Sequence, residues 1–210
     1  QPYTSPNVRV IVDDARAFLR SANEQYDMII FGLLDSHTNL SDYSNMRIDN
    51  YVYTQEAFME AKRLLAPDGV FVVKFEVREP WTWIGKRFYG MLRGMFREPP
   101  VAFYASPAGW LFPGTVFIAS EDPNFARRAA TPELAKHVKE NPPPFSLESG
   151  DMPPPTTDDW PYVYHRSRTI PRPYLAVSVI LLVISALLLK KDFEPRKSST
   201  WLFFLLGAGF

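Results

Sequence analysis

The chain has 210 residues, which is enough for one domain and a further segment. Its 23 basic and 23 acidic residues leave no net charge, which argues against a strongly basic nucleic-acid-binding surface and against nucleic acid as a partner. It contains no cysteine, so disulfides and cysteine-based metal or redox sites are excluded.

The first third of the sequence predicts two buried strands separated by a short helix. The β-branched run Val8–Val12 is typical of a buried strand. Asp14 is expected to cap a helix that ends at Ser21. A second strand is predicted at Met28–Phe31, and the polar stretch 33–50 is expected to be a loop.

The next elements continue the alternation of helix and strand. Thr54 is expected to begin an amphipathic helix, and Val70–Phe75 predicts a third strand. A second amphipathic helix follows, with apolar residues in helical spacing from Ile84 to Met95. Val101–Ala105 and Thr115–Ala119 predict two strands joined by a short loop.

Strands separated by amphipathic helices require crossover connections, whereas a short loop joins antiparallel strands. The fold class predicted for residues 1–125 is therefore α/β, with a Rossmann-like, mainly parallel sheet and a terminal antiparallel hairpin. The chain begins with Gln1, and its last ten residues are an apolar run. We expect a fragment in which the N-terminal part of this domain is missing.

Residues 126–172 differ in composition and predict a proline-rich linker. The clusters Pro142-Pro143-Pro144 and Pro153-Pro154-Pro155 favour extended, polyproline-like structure, although a short helix is possible at Pro132–Lys139. Asp158-Asp159-Trp160 has two interpretations, a segment that closes over a ligand pocket or a simple turn.

An apolar segment follows the linker and predicts a transmembrane helix at residues 173–191. Its central run, Tyr174–Leu189, has no charge, and Arg172 and Lys190 flank it as interfacial anchors. A buried helix of a globular domain is the alternative. Residues 200–210 are expected to begin a second transmembrane helix, so the predicted partner is the lipid bilayer.

Acidic side chains follow the predicted strands at the edge where open α/β sheets bind ligands. Asp13 and Asp14 follow the first strand, Asp35 follows the second, and Lys74 and Glu76 lie around the end of the third. A carboxylate at such a position can accept hydrogen bonds from a nucleoside. The alternative for Asp14 is a plain helix N-cap.

Three segments in order, RVIVDDARAFL, YDMIIFGLLDS and YTQEAFMEAKRLLAPDGVFVVKFE, resemble the spermidine synthase family, and in particular its membrane-fused bacterial subgroup. The resemblance extends over roughly residues 8–190. It implies a fold related to class I S-adenosylmethionine-dependent methyltransferases. In that family a glycine-rich ligand loop and a ribose-binding acid precede the strand at Val8, so we expect both in the missing N-terminal part.

The resemblance also implies roles for individual residues. Asp14-Ala15 matches the pair whose acid contacts adenine, with Asp13 in support. Asp35 matches the candidate general base, but Gly32 replaces the first acid of that motif and Ser36 replaces its proline. Lys74 would repel a cationic acceptor, so these departures disfavour putrescine as the acceptor.

The leading hypothesis is a membrane-tethered transferase of aminopropyl or methyl groups. Its substrate would be a small-molecule nucleoside, S-adenosylmethionine or decarboxylated S-adenosylmethionine. The three histidines are far apart, so no metal site is expected. The expected location is a bacterial inner membrane, with the soluble domain in the cytoplasm. The alternative is a catalytically decayed, ligand-sensing or structural domain of a multi-span membrane protein; the acceptor and the oligomeric state stay open.

Overall fold

The computed structural model describes residue 3 and residues 5–32, 48–77, 79–105, 113–148, 150 and 152–189. The chain divides into two compact units, Gln1–Arg168 and Thr169–Phe210. The first unit contains, in chain order, α1 (Ala15–Ser21), β1 (Tyr26–Phe31), a 3-10 helix (Ile48–Tyr53), α2 (Gln55–Arg63), β2 (Leu65–Phe75), α3 (Thr82–Met95), β3 (Val101–Ala105), β4 (Gly114–Ser120), α4 (Phe125–Ala129) and α5 (Pro132–Glu140).

The four strands form one mixed sheet in the order β1-β2-β4-β3. β1 and β2 are parallel, with Ile29 opposite Phe71. β4 is antiparallel to both β2 and β3, so the predicted terminal hairpin is confirmed. The prediction of a mainly parallel sheet is wrong for the described residues, because only the β1–β2 pairing is parallel.

The predicted first strand accounts for this difference. Val8–Val12 forms no strand, and its apolar side chains are exposed, with Val12 at 97%. A β-branched run becomes a strand only where a neighbouring strand pairs with its backbone and a core accepts its side chains. β1 is therefore an edge strand of the described sheet, with Met28 and Ile30 exposed on one face.

The core lies on the opposite face of the sheet, because alternate residues of a strand point to one side. Phe71, Val73 and Phe75 of β2 are buried there. α2 and α3 cover this face with Phe58 and Phe88, both fully buried. Aromatic rings meet edge-on or tilted in this core, as in the pairs Phe31–Phe71 within the sheet at 5.0 Å and Phe75–Phe88 between β2 and α3 at 4.9 Å.

Local features at Thr54 and Gly69 shape α2 and β2. Thr54 caps α2, since its hydroxyl oxygen accepts a hydrogen bond from the amide of Ala57 at 3.3 Å. β2 begins at Leu65, earlier than predicted, and its pairing with β1 is irregular around Gly69. A Cβ on Gly69 would lie 2.9 Å from the carbonyl oxygens of Ala66 and Tyr26, so this irregular segment requires glycine.

Most of the segment expected to be a linker lies inside the first unit. We call residues 142–168 the strap. Val163 of the strap is fully buried. A Cβ on Gly85 of α3 would lie 2.2 Å from the Phe145 ring, and one on Gly90 would lie 3.0 Å from the Met152 sulfur. The strap therefore packs directly on the backbone of α3.

The second unit contains α6 (Arg172–Leu189), whose large apolar side chains from Leu175 to Leu187 are exposed. Within the described part of the chain, no helix has both the length and the apolar character needed to span a membrane. The predicted span at 173–191 is therefore not confirmed. The predicted second span at 200–210 lies outside the described residues.

Candidate functional site

The three predicted nucleoside contacts lie together at the start of α1. Asp14 is the N-cap of this helix, and its Oδ1 accepts a hydrogen bond from the amide of Ala17 at 2.9 Å. Asp13 Oδ1 accepts one from the amide of Asp14 at 2.8 Å. Both acids are exposed, whereas Ala15 is half-buried against the core. The predicted N-cap is thus present, and an exposed carboxylate stands at the same place.

An ionic cluster follows these residues along α1 and joins this helix to α2 and to the strap. Arg16 Nη2 donates to Asp158 Oδ2 at 2.7 Å, and Arg16 Nη1 lies 3.2 Å from Glu60 Oε2. Arg20 contacts the same two acids, at 3.4 Å to Asp158 and 3.2 Å to Glu60. The Arg16 side chain is only 8% exposed, so Arg16 is held in a charge network that is largely shielded from water.

Hydrogen bonds continue from this cluster to the end of β1. The Thr54 hydroxyl donates to Asp158 Oδ1 at 2.7 Å, and the neighbouring Tyr53 hydroxyl donates to the carbonyl of Gly32 at 3.3 Å. Gly32 directly follows β1, which is where the resemblance expects the catalytic motif to begin. Asp158 therefore lies in the network that links the start of α1 to the end of β1. Its position supports a structural turn, because the backbones of Thr157 and Trp160 bond to each other.

The predicted general base Asp35 lies outside the described residues. Lys74 and Glu76 around the end of β2 are both half-buried. Gly114 at the start of β4 approaches this end closely, since a Cβ there would lie 2.7 Å from the Phe75 carbonyl oxygen. Only glycine permits this contact, which fixes the path of β2 into Glu76.

Arg87 on α3 anchors the strap. Its guanidinium donates to the backbone carbonyls of Pro154 at 2.8 Å and of Val163 and His165 at 2.6 Å. It also lies over the rings of Trp83 at 5.0 Å and, on the strap, Trp160 at 5.7 Å. Burial, followed by the charge of Arg168, lowers the pKa of Arg87 to about 10, so the guanidinium stays charged at neutral pH.

A groove of about 540 Å³ lies between α3 and Met152–Pro155, and none of the predicted site residues lines it. Among the described residues, no group of histidine, aspartate and glutamate side chains is placed to hold a metal ion.

Residues 1–82 match the family model of the spermine/spermidine synthase domain. The resemblance to the spermidine synthase family is confirmed. This spermidine synthase-like part includes α1, β1, α2 and β2. None of the curated proteins matches the sequence.

Three solved structures are also similar to the chain. Human methyltransferase-like protein 13 in complex with SAH is 20% identical, with a TM-score of 0.45, over 64% of this chain and 58% of that one. The spermidine synthase from Thermotoga maritima and a spermidine synthase in complex with the transition state analogue AdoDATO are each 16% identical, with TM-scores of 0.41, over 80% of this chain and 48% of theirs. The chain spans about half the length of these proteins.

Sequence reasoning missed the roles of Arg16 and Arg87, and it missed the ionic partners of Asp158, which it had placed in a closing segment or a turn. Arg16 and Arg20 are one helical turn apart and were a visible signal for a shared acidic partner on one face of α1. Nothing local identified Asp158 as that partner, because it is 142 residues away from Arg16. No local signal marks Arg87 as buried, because it is a charged residue of an amphipathic helix, yet it is only 1% exposed.

Proposed function

We propose that this chain carries part of a transferase that uses an S-adenosylmethionine-type nucleoside to transfer an aminopropyl or methyl group. The observation that carries the proposal is the match of residues 1–82 to the spermine/spermidine synthase domain. That range includes the proposed nucleoside contacts Asp13, Asp14 and Ala15, and also Asp35. The class of nucleoside and the class of reaction are both inferred from this match.

The geometry of Asp14 is compatible with a contact to adenine. Its Oδ1 caps α1, and its Oδ2 makes no hydrogen bond to any described residue. A carboxylate has lone pairs on both oxygens, so it can cap a helix and accept a further bond from an amino group. The cap also restrains the side-chain torsion, which lowers the entropy lost when a ligand binds.

We propose Asp35 as the general base. In aminopropyl transfer the acceptor nitrogen attacks a carbon bound to the sulfonium, a carbon–nitrogen bond forms, and the carbon–sulfur bond breaks to leave a neutral thioether. The proton released from the attacking nitrogen passes to the carboxylate. Asp35→Asn should then lose most of the turnover while nucleoside binding persists; unchanged turnover would rule out this role.

Calorimetric titration of the full-length protein in detergent tests the nucleoside site. The ligands are S-adenosylmethionine, its decarboxylated form and methylthioadenosine, and the variants are Asp14→Ala and Asp14→Ser. Serine caps helices about as well as aspartate does, so Asp14→Ser keeps the cap and removes only the carboxylate. If Asp14 contacts the ligand, both variants bind more weakly; if its role is only the cap, Asp14→Ser binds normally.

A ligand sensor is the second candidate, and Gly32 is the observation that favours it. Gly32 stands where the resemblance places an acid of the catalytic motif, and a lost carboxylate weakens attraction for a cationic acceptor. A sensor binds the nucleoside without turnover on any amine, whereas the transferase consumes it. Absence of nucleoside binding by the folded protein would exclude both candidates.

We further propose that the second unit attaches the protein to a membrane. We propose that this is a bacterial inner membrane and that the first unit lies in the cytoplasm. The proposal is supported by the uncharged run Tyr174–Leu189 and by the exposed apolar side chains of α6. Membrane fractionation with carbonate extraction tests it. Release of the protein by carbonate would contradict an embedded segment. Protease added outside the inner membrane should leave residues 1–168 intact if they lie in the cytoplasm.

A further inference from the structure

We propose that Asp158 is a positioning residue that fixes α1 against α2 and thereby holds Asp14 in place for the nucleoside. The inference rests on the proposed function, since it concerns the same site. Asp158 lies on the strap, outside the range that matches the spermine/spermidine synthase domain. If Asp158 has this role, the strap helps to hold the nucleoside-binding residues in position.

The contacts of Asp158 with α1 are short and charged. Its Oδ2 accepts from Arg16 Nη2 at 2.7 Å and lies 3.4 Å from Arg20 Nη2. Arg16 is two residues after Asp14, in the first turn of the same helix. Charge-assisted bonds of this length are among the stronger polar contacts in proteins, especially where one partner is largely buried.

The contacts of Asp158 with α2 are equally direct. Its Oδ1 accepts from the Thr54 hydroxyl at 2.7 Å, and its amide donates to Glu56 Oε2 at 3.0 Å. Thr54 is also the N-cap of α2. One carboxylate therefore bonds to the cap of α2 through one oxygen and to α1 through the other.

The position of Asp158 is itself well determined. Thr156, two residues before Asp158, is fully buried, and its hydroxyl donates to the carbonyl of Tyr53 at 2.6 Å. The amide of Gln55 donates to the carbonyl of Thr156 at 2.9 Å. Thr157 and Trp160 close the turn that contains Asp158. The carboxylate is thus presented from a backbone that is bonded to the start of α2.

α1 depends on such support because it is short. It has seven residues, and an isolated helix of that length is not stable in water. Its position therefore comes from tertiary contacts, of which the buried side chains of Arg16 and Leu19 supply the centre. Loss of the Asp158 carboxylate would leave Arg16 with Glu60 as its remaining described acidic partner. The first turn of α1, with Asp14, would then move more freely.

The test is calorimetric titration of the full-length protein with S-adenosylmethionine. Asp158→Asn is expected to weaken binding on the order of tenfold, which lies within the roughly 5–150-fold range typical of energetic coupling to a binding site. Asp158→Glu keeps the charge and should recover most of the affinity. Asp159→Asn is the matched control, since this neighbouring acid is exposed, and it should bind as the wild type does.

A double-mutant comparison separates positioning from general stability. If Asp158 acts through Asp14, Asp158→Asn causes little further loss in an Asp14→Ser background. An equal loss in both backgrounds would overturn the inference. Amide hydrogen exchange should also accelerate within α1 but not within α3. If Asp158→Asn does not fold, Arg20→Gln removes the exposed contacts of Arg20 with Asp158 at 3.4 Å and with Glu60 at 3.2 Å, and it should still speed exchange in α1.

The outcomes distinguish this inference from the proposed function. Wild-type protein that binds no nucleoside would overturn both. Binding that Asp14→Ser weakens but Asp158→Asn leaves unchanged would retain the proposed function and overturn only the role of Asp158.

Discussion

The anchoring of the strap by Arg87 makes a quantitative prediction for the variant Arg87→Met. Methionine keeps much of the apolar volume between Trp83 and Trp160 but removes every hydrogen-bond donor. The carbonyls of Pro154 and His165 then lose their short bonds, although both sites are partly accessible to water. The third carbonyl, that of Val163, is bonded at a buried site.

The magnitude follows from these three acceptors. A buried acceptor left without a donor costs about 1–3 kcal/mol, and an acceptor that water can reach costs about 1 kcal/mol or less. Removal of a buried charge offsets part of this cost. The free energy of unfolding of the first unit should therefore fall by about 3 kcal/mol, a large fraction of the roughly 5–15 kcal/mol typical of domains.

Chemical unfolding of the full-length protein in detergent, followed by tryptophan fluorescence, measures this loss. Trp83 and Trp160 flank Arg87, so part of the signal reports on the strap directly. Arg93→Met is the matched control, because Arg93 lies on the same helix and is exposed; its effect should stay within about 0.5 kcal/mol. Equal stability of the Arg87→Met and Arg93→Met proteins would refute the anchoring role.

Two further predictions concern α3 and the strap. Gly85→Ala should destabilise the protein by about 1–3 kcal/mol, because its Cβ would meet the Phe145 ring at 2.2 Å. Gly94→Ala should instead stabilise α3 by about 0.5–1 kcal/mol, because a Cβ there has nothing within 4 Å. Thermal unfolding of the two variants measures both effects. Burial is the main cause that lowers the pKa of His165 below its ordinary value of about 6.5, and the charge of Arg87 adds to it. The contribution of neutral His165 to the free energy of unfolding is therefore present above that pH and is lost as pH falls through the folded-state pKa. His165→Gln should flatten this part of the stability–pH curve, and a curve as steep as that of the wild type would contradict the prediction.

Elements that rest on local interactions could be predicted from the sequence. The cap at Thr54 needs only neighbouring residues to form, and the apolar run of β2 is visible in the local sequence. Likewise Pro132 opens α5, as expected for a residue that lacks an amide hydrogen. The hairpin of β3 and β4 follows from two apolar runs that a short loop separates. Such signals lie within a few residues of the structure they specify.

The candidate site could be predicted only in part, for the same reason. The acid at Asp14 and its capping role are visible in the local pattern, and the order of segments pointed to the spermidine synthase family. Its support could not be predicted, because Asp158 and Arg16 meet from distant parts of the chain. The pairing of two charged residues depends on how the chain folds back, and no local pattern encodes that.

The sequence by itself therefore determined the identity of most helices and strands, the resemblance of residues 1–82 to the spermine/spermidine synthase domain and the candidate acid at Asp14. Only the tertiary structure decided that Val8–Val12 stays outside the sheet, since a strand needs a partner for its backbone. It also decided that the proline-rich strap packs against α3 within the first unit. Proline content restricts the backbone of such a segment, but its docking depends on Arg87 and on the clearance at Gly85, both far away in sequence.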